Sequence, residues 1–172
     1  KSKAKGVACI DIGLGNLCAI TSDQTSPILV NGRILKSINQ KFNKHQTKRE
    51  SQKRYFRIEN YFHHVSKLVI QHCLRHNIGR IIIGRNTGWK QGMNLGSRNN
   101  QNFQCVPFFL LLQKIQYKAD LAGLEVVFTE EAYTSQSSFL DRDPLPVYEN
   151  GVHHTFSGKR VKRGLYRASD GR

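Results

Sequence analysis

The stretch Val7-Ala8-Cys9-Ile10-Asp11-Ile12-Gly13-Leu14-Gly15-Asn16-Leu17-Cys18-Ala19-Ile20 holds the residues best suited to chemistry. An apolar run ends on an aspartate, turns through Gly13, Gly15 and Asn16, and enters a second apolar run. Asp11 is the only acid in that hairpin. An ionised carboxylate in such a setting is costly unless a cation meets it. A divalent metal is the natural partner, because hard cations take carboxylate oxygens. A turn aspartate bonded to its own backbone is the simpler alternative. A second acidic pair, Glu130-Glu131, closes the apolar run Glu125-Val126-Val127-Phe128-Thr129. Two converging carboxylates repel unless a metal or a proton mediates. A pair of magnesium ions about 3.5–4 Å apart would clamp a phosphodiester and activate water. Solvated strand-end charges are the alternative for Glu130 and Glu131.

Two further groups have types suited to nucleic acid. Trp89, Lys90, Arg98, Asn99, Asn100 and Asn102 fall in one polar stretch. The indole can stack on a base, or serve as a packing anchor. The amides can meet phosphate or sugar oxygens. Lys159, Arg160, Lys162, Arg163 and Arg167 form a dense basic segment suited to a phosphate backbone, or to plain solvation. His63-His64 and His153-His154 have no cysteine nearby and read as surface histidines. The segment from Lys41 to Arg57 is strongly basic, and either tracks nucleic acid or forms a charged helix face.

These residues need elements to hold them. Residues 7–12 and 16–22 read as strands joined by a Gly/Asn turn. Pro27 to Val30, a turn at Asn31-Gly32, and Arg33-Ile34-Leu35 read as a third strand with a tight turn. Lys41 to Arg57 reads as a solvated helical extension. Ile58, Phe62, Val65, Leu68, Val69 and Cys73 recur at three- and four-residue steps, which predicts an amphipathic helix ending near Asn77-Ile78-Gly79. Arg80 to Gly84 reads as a buried strand, residues 85–102 as a polar loop, and Phe103 to Leu121 as a second helix with Pro107 near its first turn. Residues 125–131 read as the last strand, followed by turns and a basic tail.

The order is three strands, helix, strand, helix, strand. An antiparallel opening followed by two crossovers predicts an α/β fold with a mixed sheet flanked by helices. Chemistry in such sheets gathers at the carboxyl ends of the parallel strands. Asp11, Gly84 and Glu130/Glu131 lie at such ends. With strands about 4.8 Å apart, two intervals cover about 10 Å, and Gly84 offers no side chain to block the reach between the acids.

The bulk numbers agree with a polyanionic partner. The 172 residues suit one domain with a real core. Lysine and arginine total 27 against 12 acids, for a net charge of +15. No long apolar span, signal-peptide pattern or basic amphipathic helix with a strong apolar face points to a membrane. Cys9, Cys18, Cys73 and Cys105 are scattered in apolar contexts without a Cys-x-x-Cys pair, so buried thiols in a reducing cytoplasm are expected.

The chain resembles the TnpB (OrfB-type) proteins of small bacterial and archaeal transposons, relatives of the type V CRISPR effector nucleases. The matching pieces run in order. They are the hairpin around Asp11; Leu35 to Gln40; Ile82-Ile83-Gly84-Arg85-Asn86-Thr87-Gly88-Trp89-Lys90-Gln91; Arg98 to Phe103; Glu130-Glu131-Ala132-Tyr133-Thr134-Ser135; and Ser157 to Arg167. The resemblance implies a RuvC-like nuclease domain of RNase H-like fold, over residues 1–136, that cuts DNA under a guide RNA with magnesium. Asp11 matches the family's first metal-binding aspartate. Gly84 stands where the usual second acid lies; some relatives carry a glutamate on the following strand, where Glu131 fits best and Glu130 is the fallback. Many relatives have a four-cysteine zinc ribbon after the Tyr-Thr-Ser stretch. Here Ser137 and Ser138 stand near the expected cysteines, so residues 137–172 read as a basic insert replacing the ribbon, without zinc. The third acid lies just beyond Arg172 in relatives, and Asp170 does not match it. The chain is thus expected to be a fragment of a prokaryotic, nucleoid-associated cytoplasmic protein. It would lack the amino-terminal recognition domains and a carboxyl-terminal segment. A nuclease-inactive, RNA-guided DNA-binding relative is the second reading. An actin-like sugar kinase or ATPase is the third, and fits poorly for want of a second glycine hairpin.

Overall fold

The computed structural model describes residues 4–84, 106–149, 151–162 and 165–172. Two compact units divide near Thr129. The first contains β1 (Gly6–Ile12), β2 (Asn16–Ser22), β3 (Ile28–Asn31), α1 (Arg33–Lys44), α2 (Lys48–Arg75), β4 (Ile78–Gly84), α3 (Phe108–Leu121) and β5 (Glu125–Thr129). Its sheet has the order β3-β2-β1-β4-β5. The first three strands are antiparallel; β1, β4 and β5 are parallel neighbours. This is the mixed sheet that the strand and helix periods predict.

Alternation in β1 sorts its side chains. Ala8, Ile10 and Ile12 are buried, while Cys9 and Asp11 are exposed. Ile81 and Ile83 sit beside Ala8 and Ile10 on the buried face. Phe62, Val65, Val69 and Cys73 of α2 and Leu111, Ile115 and Ala119 of α3 complete the same core. Each fully buried Leu, Ile or Phe adds about 1.5–3 kcal/mol.

Local chemistry explains where α2 begins and ends. The Thr47 hydroxyl accepts from the Glu50 amide at 3.2 Å, satisfying one orphan donor of the first turn. Glu50 also sits favourably at the positive end of the helix dipole. At the other end Asn77 takes φ 55°, a left-handed conformation that stops the helix where expected.

Several expectations need correction. Arg33-Ile34-Leu35 open α1 rather than a strand: Arg33 N donates to Asn31 Oδ1 at 2.9 Å, closing the turn that starts the helix. The basic extension is split: Lys41 to Lys44 end α1, and Lys48 to Arg57 are continuous with the amphipathic helix in one α2 of 28 residues. Leu68 lies outside its buried stripe, 44% exposed. α3 begins at Phe108, directly after Pro107, and the residues before Val106 lie outside the described set. β5 ends at Thr129, so Glu130 and Glu131 are not strand residues. Cys9 is exposed because it shares the period-two face of Asp11; Cys18 and Cys73 are buried, and Cys105 lies outside the described residues.

The second unit contains a short antiparallel hairpin, β6 (Lys159–Lys162) and β7 (Leu165–Arg167), inside the segment expected as a tail. Two aspartates tie its turns together. Asp143 accepts from Ser138 N at 2.9 Å, Ser157 N at 3.0 Å and Ser157 Oγ at 2.6 Å. Asp141 accepts from the Ser138 and Ser169 hydroxyls and from Ser169 N at 3.0 Å. These bonds hold both carboxyls below their ordinary range, the Ser138 hydroxyl leading at Asp141 and the Ser157 hydroxyl at Asp143. Tyr133 has a left-handed backbone at φ 61°, and its ring gathers His154, Phe156 and Tyr148 within 5.0, 5.8 and 6.4 Å between centroids. Among the described residues no helix is long and apolar enough to cross a membrane.

Candidate active site

Asp11 sits near the carboxyl end of the central strand. It pairs with Ala19 of β2, which pairs with Leu29 of β3. On the other side β1 and β4 are in register through Ile10 and Ile83, so Gly84 is the next neighbour, and Gly84 pairs with Thr129. One row therefore reads Leu29, Ala19, Asp11, Gly84, Thr129. The residues flanking Asp11 in this row are alanine and glycine, so neither sheet neighbour crowds its carboxylate. That exposed oxygen pair suits a hard cation, but one carboxylate alone is a weak site. Among the described residues no group of three or more His, Cys, Asp or Glu is placed to hold a metal.

The hairpin beside Asp11 is locked by backbone contacts. Gly13 N donates to Leu17 O at 3.3 Å, and Gly32 N donates to Gly15 O at 2.9 Å. A Cβ on Gly32 would meet Leu14 O at 2.3 Å, so only glycine fits there. The Tyr61 hydroxyl donates to Asn31 O, pinning the next turn to α2. Sequence reading missed this Gly15–Gly32 clasp, although the Asn31-Gly32 pair was its signal. Cys18, buried behind the site, has its thiol pushed up to about 12 by burial first and by the charge of Asp11 second.

The other expected site residues fall in three groups. Glu130 and Glu131 directly follow β5 in the chain and open the second unit. Glu130 is exposed and Glu131 half-buried. The Glu131 carbonyl accepts from the Thr134 hydroxyl at 3.1 Å, closing a turn. Lys159, Arg160 and Lys162 line β6, all exposed, and exposed Arg167 ends β7. Lys159 and Arg167 are cross-strand partners. Like charges directly opposite destabilise a ribbon, a cost that a bound polyanion would remove. Trp89, Lys90, Arg98, Asn99, Asn100, Asn102 and Arg163 lie outside the described residues.

The five-stranded mixed sheet, with its antiparallel opening and parallel β1-β4-β5, is a fold shared with solved Cas12f chains. The chain is similar to the protein in the cryo-EM structure of the Cas12f1–sgRNA–target DNA complex, with TM-score 0.60 and 11% identity over 80% of this chain and 39% of that one. It is also similar to the protein of the CRISPR-Cas12f ternary complex, with TM-score 0.57 and 13% identity over 78% of this chain and 30% of the other. T. thermophilus RuvC bound to a Holliday junction substrate aligns at TM-score 0.36 and 14% identity, over 73% of this chain and 64% of that chain. The chain thus spans less than two fifths of the length of the Cas12f proteins it matches. At these identities the likeness to the two Cas12f chains is one of fold. No protein-family model and no curated protein matches it.

Proposed function

We propose that the chain is part of a transposon-associated, RNA-guided DNA endonuclease of the TnpB type. The observation that carries this reading is Asp11: an exposed acid near the carboxyl end of the central strand of a RuvC-like sheet, with Ala19 and Gly84 beside it in the sheet row. The ordered sequence blocks and the +15 charge support it. So does the likeness to the Cas12f1 chain, whose solved complex contains guide RNA and target DNA.

In this reading Asp11 and Glu131 hold magnesium, with Glu130 the fallback for the second position. Bound magnesium would activate water and neutralise charge building on the phosphodiester. Asp11 supplies its oxygens from a rigid position, because the Gly15–Gly32 clasp holds the adjoining turn. Lys159, Arg160, Lys162, Arg163 and Arg167 follow a nucleic-acid backbone. Lys90, Arg98, Asn99 and Asn102 contact phosphate or sugar, and Trp89 stacks on a base. Residues 137–172 stand in place of a zinc ribbon, with the Asp141 and Asp143 networks holding the turns that cysteines would otherwise tie. The protein works in a prokaryotic cytoplasm, associated with the nucleoid.

The test is plasmid cleavage by the full-length protein with its guide RNA and magnesium. Asp11→Ala abolishes cutting; Glu131→Ala does so as well, while Glu130→Ala cuts. Cutting that survives Asp11→Ala refutes the metal role. The reverse result for the two glutamates moves the second ligand to Glu130. A nuclease-inactive binding protein is the second reading, favoured by Gly84 at the position where the family places an acid. Guided binding without cutting in the intact protein would establish it.

A further inference from the structure

We infer that the amino-terminal part of α2, with α1 beside it, is a docking surface for single-stranded nucleic acid, with Phe56 and Tyr55 stacking on unpaired bases. This rests on the nucleic-acid reading above but concerns a different surface.

α2 extends about 42 Å at 1.5 Å per residue, yet its buried positions begin only at Ile58. The preceding ten residues, Lys48 to Arg57, contribute nothing buried to the core. Their described packing is with α1: Arg54 Nε donates to Asn39 Oδ1 at 2.7 Å, and its guanidinium lies 5.4 Å from the Phe42 ring centroid. Tyr55 continues the core stripe of Ile58, Phe62, Val65 and Val69 past the covered part of the helix, and is 51% exposed. Phe56 points elsewhere. It follows Arg49 and Lys53 at seven- and three-residue spacing, so the three share one helix face. Phe56 is 56% exposed, and its ring meets Tyr55 edge-on at 5.6 Å.

The electrostatics select the partner. Residues 33–57 hold nine lysines and arginines and one acid, Glu50, which Lys53 already engages at 2.8 Å. Lys41, Lys44, Lys48, Arg49, Lys53 and Arg57 are all exposed. A basic surface interleaved with exposed rings suits a flexible polyanion whose bases are free to stack. A duplex keeps its bases stacked internally and gains little from the rings. An acidic membrane would need a broad apolar face, and two rings do not supply one.

The experiment uses the 172-residue chain and fluorescein-labelled oligonucleotides followed by anisotropy. The probes are one short mixed sequence as single-stranded RNA, as single-stranded DNA and as a DNA duplex. The Tyr55→Ala/Phe56→Ala variant loses about fivefold or more in affinity for a single strand, and much less for duplex. Phe56→Trp keeps single-strand affinity while Phe56→Leu loses it, which separates stacking from general apolar contact. Arg49→Gln/Lys53→Gln shallows the slope of log K against log salt by about 1.4. The RNA and DNA arms decide which strand the surface prefers. Equal loss on duplex and single strand, or no loss, overturns the inference. Binding to anionic vesicles that depends on Phe56, with no effect on oligonucleotides, overturns it in favour of a membrane. If Lys159→Gln/Arg160→Gln removes oligonucleotide binding and the α2 variants change nothing, this inference fails and the broader reading stands. If the unaltered chain binds no oligonucleotide, both fail.

Discussion

The clasp beside Asp11 makes a sharp prediction about Gly32→Ala. An added methyl would sit 2.3 Å from Leu14 O and 3.0 Å from Gly15 O. Both neighbours are backbone, so neither can swing aside as a long side chain would. The Leu14–Gly15 segment must withdraw by about 1 Å, and small-to-large strain of this kind costs about 1–3 kcal/mol. That movement also stretches the Gly32 N to Gly15 O bond, now 2.9 Å, with a net worth of about 1 kcal/mol. The expected loss is therefore about 2–4 kcal/mol. Gly15→Ala is the control, because a Cβ there meets nothing within 4 Å. It should change stability by less than about 0.5 kcal/mol. Urea denaturation followed by far-ultraviolet ellipticity reads the first unit, which holds all the helices among the described residues. That choice matters because a chain with two units need not unfold in one step. Equal effects at the two glycines, or a Gly32→Ala protein as stable as the original, would refute the contact on which the argument rests.

Two other outcomes can be measured on the same protein. His63 Nε2 lies 2.9 Å from Lys114 Nζ, which also reaches Glu59 at 3.2 Å; desolvation, then the charges of Lys114 and Lys118, push the imidazole pKa below its usual 6.5. A depressed base favours the neutral form in the folded state, so its stabilising contribution is complete above pH 6.5 and shrinks as pH falls from there through the folded pKa. The urea midpoint should fall over that window, and His63→Gln should flatten the fall; an unchanged profile would refute the pairing. Thiol reactivity should sort by face: Cys9 is modified rapidly in the native state, whereas Cys18 and Cys73, buried with pKa values raised to about 12 and about 11, react only on unfolding. Peptide mapping after a short alkylation pulse checks this, and early labelling of Cys18 would contradict its placement.

What the sequence made legible follows from the reach of each signal. Two apolar runs around the Gly13-to-Asn16 turn assigned β1 and β2, and the three- and four-residue steps from Ile58 to Cys73 placed the core side of α2. Those signals are local and strong. The start of α1 was hidden because Arg33-Ile34-Leu35 satisfies a strand pattern equally well. A side-chain bond from Asn31 decides it for helix, and no periodicity reports such a bond. The extent of α2 was hidden because its first ten residues bury nothing, leaving the apolar period with nothing to mark. Cys9 was misjudged by averaging over its apolar neighbours, when alternation with Ile10 already placed it beside Asp11. The hairpin of Lys159 to Arg167 was read as a tail because both its strands are short and polar. Asp141 and Asp143 were passed over as turn residues, although together they gather Ser138, Ser157 and Ser169 from three separated segments.

The position of Asp11 also limits where a second acid can stand. Side chains of parallel neighbours in register project from the same face, so an acid at residue 84 would lie about 4.8 Å from Asp11 along the row. Glycine there removes that option and leaves Thr129, two strands away at about 10 Å, as the last member of the row on β5. A one-residue shift of β5 cannot bring Glu130 into that row without turning Val126 and Phe128 away from the face of Ile81 and Ile83. In the proposed site, a register shift of β5 is therefore not a way to supply the second acid. Glu130 and Glu131 are the first two residues after that strand. The proposed Asp11–Glu131 pairing is what the separate glutamate variants in the cleavage assay test.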